Sequence, residues 1–313
     1  MQSWKQWALI GLILLVALAL RWTGIDWDGY NHYHPDERYI TWVATTIEWP
    51  ADLSDALSPT QSSLNPFYWP PQAASRGIEV PQDEPRDFAY GHGPLYLGVA
   101  ATRLVERMET GAQAILPAGW LVTADIFNGS AAVEFRHLTA VSRALTGLVD
   151  AASVLLIFLL GRRLFGTAVG IIAAAFLALN VMHIQLAHFF TVDPYLTFFG
   201  LAALTFMVRA IYAANVLQED GPAARRQRCS PTCTLLIAAV FVGLAVGAKF
   251  SASLLLLPLS VAAWLAFPQP RWWRLLAVFA LALLTFVVTN PFIILDQSCE
   301  AISPAVALGP VRI

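Results

Sequence analysis

The sequence predicts an all-α polytopic membrane protein, and three observations carry that reading. Charged residues make up only 13% of the chain against 57% hydrophobic, where soluble domains carry about 25% charge. Mean hydropathy is +0.59. Apolar runs recur at close to the roughly 20 residues a helix needs to cross a ~30 Å hydrocarbon core. Eleven tryptophans, with 19 glycines and 19 prolines, suit interfacial anchors and membrane helices. A net charge of −2, with no basic stretch interleaved with aromatics, argues against a nucleic-acid partner.

Seven runs are expected to span: 7–22, 139–160, 168–182, 189–212, 234–248, 251–267 and 275–289. The first follows Lys5 and is closed by Arg21 and Trp22, which reads as an uncleaved anchor rather than a signal peptide. The compact basic loops are "GRRLFG" (161–166), "ARRQR" (224–228) and "RWWR" (271–274). With the N-terminus inside, all three fall on the cytoplasmic face, as the positive-inside rule requires. The same count places residues 23–138 outside as a large first loop, together with the turns near His183 and Lys249. The run 90–108 is too short to span and is broken by Arg103, Glu106 and Arg107, so it is expected to lie in the interface as an amphipathic helix. A proline-rich acidic stretch separates it from an earlier surface helix.

That earlier helix opens in "NHYHPDERYI" (31–40). Pro35 suits a first turn, where its missing N–H costs nothing, and Ile40, Val43, Ala44 and Ile47 follow at helical spacing. Asp36 and Glu37 then sit at a positive helix terminus. Asp193, in "HFFTVDPYLTFF", falls at the lip of the fourth span on the same face as Asp36, and an acid there marks a functional candidate. Lys249, in "GLAVGAKF", shares that face and either snorkels or holds a phosphate. Asp296 in "NPFIILD" adds a carboxylate. The alternating histidines of "HYH" (32–34) lack a third ligand, and Cys229 with Cys233 lacks a second pair. No metal site is therefore assigned and no cofactor is obligatory; a divalent metal is allowed but not indicated. The absence of a G-x-x-x-x-G-K-[ST] loop and of a G-x-G-x-x-G turn weakens ATP-driven transport and nucleotide-sugar use.

The ordered set HPDE after the first span, "YGHGPLYL", "GRRLFG", "HFFTVDPYLTFF", "GLAVGAKF" and "NPFIILD" resembles the bacterial family-39-type glycosyltransferases, which have the membrane fold called GT-C. Protein O-mannosyltransferases and the aminoarabinose transferase of lipid A are relatives. The resemblance runs from residue 1 to about 297 and implies a single GT-C-type domain over 1–313. It implies an inverting transferase in the plasma (inner) membrane that takes a sugar from a polyprenyl phosphate. The acceptor, on the extracytoplasmic side, is a protein, lipid or glycan. By motif, Asp36, Glu37 and Asp193 would be the catalytic acids, and Arg38 and Lys249 would bind the donor phosphate. His34, Tyr90, His92, His188 and Asp296 would line the acceptor cavity.

Two departures qualify the match. The lipid A branch has a lysine before the proline of the second surface helix, whereas Gly93 precedes Pro94 here with His92 one further back, which argues against the same acceptor. Relatives also continue past the seventh span, so the chain is expected to be the N-terminal part of such an enzyme. The alternatives are a non-catalytic fragment or scaffold of the same fold, and a transporter. The last needs charge near the bilayer midplane, where these runs show almost none.

Overall fold

The computed structural model of the protein describes residues 3–59, 62–68, 86, 88–115, 135–219, 230–266 and 272–295. Asp296, Cys229, Cys299, the "ARRQR" loop and most of the proline-rich stretch lie outside the described residues. The chain divides into two compact units, one of Met1–Thr45 and Tyr90–Thr289, the other of Thr46–Ala89 and Asn290–Ile313. In the second unit, helices α3 (Leu53–Leu57) and α12 (Phe292–Leu295) are short, and Asp52 caps α3 by accepting from the Asp55 amide at 2.9 Å.

The first unit is a helical bundle: α1 (Ser3–Trp22), α2 (Pro35–Ala44), α4 (His92–Ile115), α5 (Phe135–Phe165), α6 (Thr167–Ala178), α7 (Val181–Ala187), α8 (Asp193–Glu219), α9 (Pro231–Ala248), α10 (Leu256–Ala266) and α11 (Trp272–Thr289). Among the described residues, five helices are long and apolar enough to cross a membrane: Trp4–Trp22, Leu138–Phe165, Asp193–Val216, Pro231–Ala248 and Trp272–Thr289. Taking α6 and α7 as one bent span makes six. The seven expected spans are therefore corrected at two places. The run 168–182 is not one straight helix: Asn180 accepts from the His183 amide at 3.1 Å and starts α7 at 55° to α6. The run 251–267 begins with a 3₁₀ turn, Phe250–Leu255, and α10 adds only 11 residues, short of a full span.

Two apolar cores hold the bundle. Ile10, Ala17, Val154, Phe158 and Ala174 join α1, α5 and α6; Met207, Leu235, Val242, Leu259 and Val278 join α8, α9, α10 and α11. The helix directions define two ends. At one, Trp22 donates to the Ala144 carbonyl at 3.0 Å and Tyr195 meets Thr146 at 3.3 Å. At the other, Trp7 packs edge-on against Phe158 and Arg163 lies over Tyr212.

Charge does enter the spans. Asp150, within α5 and fully buried, pairs with Arg21 at 2.6 Å and with His183 at 2.9 Å. Arg21 also donates to the Leu177 and Ala178 carbonyls. Its guanidinium thereby supplies donors to the last carbonyls of α6, where the helix ladder runs out.

Candidate active site

Pro35 starts α2 and His34 is its N-cap, as the sequence predicts. Successive residues on a helix point about 100° apart, and the neighbouring acids consequently part company. Glu37 turns inward and is fully buried. Its carboxylate takes the Arg143 guanidinium at 2.7 and 2.6 Å and the Phe190 amide at 2.8 Å. It is thus occupied by structure and is not on the open surface where a catalytic acid was expected.

Arg143 is shared. It also donates to both oxygens of Asp28, at 2.8 and 2.9 Å, and to the Ile25 carbonyl at 2.8 Å. Asp28 accepts further from the Tyr30 and His32 amides, each at 3.0 Å. Tyr30 and His32 are held at φ 63° and 56°, a left-handed conformation that non-glycine residues adopt at a cost. His32 is fixed by its ring nitrogen, 2.6 Å from the Thr139 hydroxyl. One buried arginine on α5 therefore clamps the loop before α2, the first turn of α2 and the segment that enters α8.

Arg143's hydrogen bonds hold the Asp28 carboxyl down at about 2, against burial, which pushes it up. A carboxyl depressed in the fold from its usual 3.8 stabilises the fold above that value and loses its contribution as pH falls toward 2. The melting temperature in detergent should accordingly hold its Asp28 component down to about pH 4 and lose it below. Asp28→Asn should lack that acid-dependent component.

Asp36 turns the other way and is only partly buried. Tyr90 donates its phenol hydrogen bond to Asp36 and also feels the charge of Asp193; burial first, and Asp36 next, push its hydroxyl up to about 12. Tyr90 gets there through Gly91. The Gly91 amide bonds the Ala248 carbonyl at 3.2 Å, and a Cβ at residue 91 would overlap the Gly247 carbonyl oxygen. Only glycine lets this turn lie against the end of α9.

Lys249 follows α9 directly. Its ammonium is 2.8 Å from Asp193, the first residue of α8. Each charge sits at the helix end that favours it, acid at an N-terminus and base at a C-terminus. With side chains 49% and 31% exposed, the pair is worth at most about 1 kcal/mol to the fold, and both groups remain open to a ligand. Beside it runs an apolar groove of about 400 Å³, lined by Leu196, Thr197, Gly200 and Leu204 of α8 and by Ala252 and Leu255 of the 3₁₀ turn.

The other expected site residues scatter. His34 packs at a tilt against Phe189, ring centroids 4.6 Å apart, and exposed Arg38 donates to the His32 carbonyl at 3.1 Å. His92 is fully buried and held neutral by that burial, down at about 3, so it does not line an open cavity. His188 lies 2.7 Å from the Ile184 carbonyl and 2.9 Å from that of Thr23; it ties α7 to the loop after α1. Asp28, Arg143, Arg21 and Asp150 were missed as a group, although charges inside apolar runs were a legible signal. Among the described residues, no three His, Cys, Asp or Glu side chains group as a metal site.

No curated protein and no solved structure matches the chain. A family model described as dolichyl-phosphate-mannose-protein mannosyltransferase matches residues 124–298, which include Asp193 and Lys249 but not Asp36. That stretch is more than half of the 313 residues, and it carries the spanning helices α5, α8, α9 and α11 together with the Arg143 that anchors the loop of Asp36. This multi-pass membrane protein belongs to the dolichyl-phosphate-mannose-protein mannosyltransferase family, a family of glycosyltransferases.

Proposed function

We propose that the protein transfers a sugar from a polyprenyl-phosphate donor to an acceptor hydroxyl at the membrane face where Asp36, Tyr90, Asp193 and Lys249 meet. The observation that carries this reading is their convergence at one end of the bundle beside a groove that is apolar enough for a polyprenyl chain. Asp36 is the general base. The acceptor oxygen attacks the anomeric carbon, its proton passes to the Asp36 carboxylate, and the bond to phosphate breaks with its electron pair on the departing polyprenyl phosphate. Attack opposite the leaving group inverts the anomeric centre. Lys249 steadies the phosphate as its charge grows, and Asp193 orients Lys249. By the positive-inside rule this face is extracytoplasmic, and the membrane is the plasma membrane. The family's printed description makes mannose and a protein hydroxyl the first sugar and acceptor to try.

The test is release of free polyprenyl phosphate from a labelled polyprenyl-phosphate mannose by protein in nanodiscs, with a Ser/Thr-rich peptide or a lipid as acceptor. Release that depends on an acceptor supports the reading; none with any sugar or acceptor class removes it. Lys249→Met should lower kcat/KM for the donor by about 10²-fold, the scale for losing one group that stabilises developing negative charge. An unchanged kcat/KM would take the phosphate away from Lys249.

A further inference from the structure

A second cavity lies at the opposite end of the first unit. It measures about 760 Å³, is open on one side and is bounded by α5, α8 and the start of α9. Asp193 and Arg209 stand sixteen residues apart on α8, about 24 Å along its axis at 1.5 Å per residue. Most of a bilayer's hydrocarbon thickness therefore separates this cavity from the transfer site.

Three arginines line it, Arg162, Arg163 and Arg209, and among the described residues no aspartate or glutamate does. Each guanidinium lies over a ring: Arg163 is 4.3 Å from the Tyr212 centroid, Arg209 is 5.5 Å from Phe206, and Arg162 is 5.5 Å from Trp7. Among the described residues, none of the three forms an ion pair or donates a side-chain hydrogen bond to the protein. Stacking holds a guanidinium plane in place while leaving its in-plane N–H groups directed outward, the fork that matches phosphate oxygens. Arg209 is exposed near the end of its apolar span, where a long basic side chain reaches the headgroup layer. Basic pockets between membrane helices take anionic lipid headgroups, and the remaining wall, including Leu159, Leu160 and Val216, suits acyl chains.

We propose that this cavity binds the headgroup phosphate of an anionic phospholipid from the leaflet opposite the transfer site. The lipid neutralises three converging cations and ties α5 to α8, the helices that carry Arg143 and Asp193. The inference rests on the bundle's geometry and stands whether or not Asp36 is a catalytic base.

The test compares the protein in nanodiscs of phosphatidylcholine alone with nanodiscs that also contain phosphatidylglycerol. Native mass spectrometry would count retained phosphatidylglycerol, and thermal melting would read stabilisation. Wild type should keep phosphatidylglycerol through delipidation and melt higher in the mixed bilayer. Arg163→Gln with Arg209→Gln should bind it at least about tenfold more weakly, since charge-assisted bidentate bonds are lost, and should lose the melting difference. Arg163→Lys with Arg209→Lys should recover part of both. If the double glutamine variant does not fold by circular dichroism, Arg209→Gln alone is read, with the same direction expected. Equal retention by wild type and variant overturns the proposal. So does equal stabilisation by inorganic phosphate in phosphatidylcholine, which would make this a free-anion site. Displacement of phosphatidylglycerol by an equal amount of polyprenyl phosphate would also overturn it, by assigning the cavity to the sugar carrier.

Discussion

Asp36→Asn is expected to lower sugar transfer by about 10²–10⁴-fold, the range for removing a positioned general base, and to leave the protein folded. Asparagine keeps the shape of the side chain and still accepts from the Tyr90 hydroxyl, the partner that Asp36 has in the fold, but it cannot take the acceptor's proton at neutral pH. Among the described residues, Asp36 takes part in none of the buried ion pairs, so the loss of stability should be confined to about 0.3–1 kcal/mol from removing a negative charge at a helix N-terminus. Glu37→Gln is the control that separates the two acids. It removes one charge from the Arg143 clamp, so it should lower the melting temperature as well as activity. The measurement pairs initial rates of polyprenyl phosphate release with melting curves for both variants. Unimpaired turnover by Asp36→Asn at an unchanged melting temperature would withdraw the general-base role.

The contrast between those neighbours shows what the sequence could and could not reveal. Pro35 at the first turn and apolar spacing through Val43 identify α2, and span counting correctly brings Asp193 and Lys249 to one end, because both sit at helix junctions. The direction each acid faces depends on where α2 lands against α5, and no local pattern carries that. Asp36 and Glu37 therefore read as equivalent although one is only partly buried and the other fully buried. The break between α6 and α7 had a signal in Asn180, a capping residue inside an apolar run, yet hydropathy averages over a single polar residue. Arg143 and Asp150 also stood in plain view within a span. Asp28 and Glu37, which pair with Arg143, and Arg21, which pairs with Asp150, lie more than 100 residues away, and even His183, the second partner of Asp150, is 33 residues away, so only tertiary packing pairs them.

Arg143→Ala should be the most destabilising single change in the bundle, by about 3–5 kcal/mol, the cost of breaking a buried pair from one side. The guanidinium, Asp28 and Glu37 side chains are all 0% exposed. Alanine would strand two carboxylates in a space already filled by protein. Arg143→Lys should rescue little, because an ammonium is a point donor whereas the guanidinium plane serves two carboxylates and the Ile25 carbonyl at once. If the cost comes from uncompensated charge, Arg143→Met with Glu37→Gln should be less destabilised than the sum of its single variants. The coupling should lie within the 0.5–3 kcal/mol range for directly contacting residues. Additive effects would mean that Arg143 acts through its bulk alone. A coupled result would place the energetic link at the junction of α2, α5 and the entry to α8, so transfer activity should fall with it even though Arg143 is fully buried. The reason is geometric: Glu37 bonds the Phe190 amide, three residues before Asp193, and it directly follows Asp36 in α2.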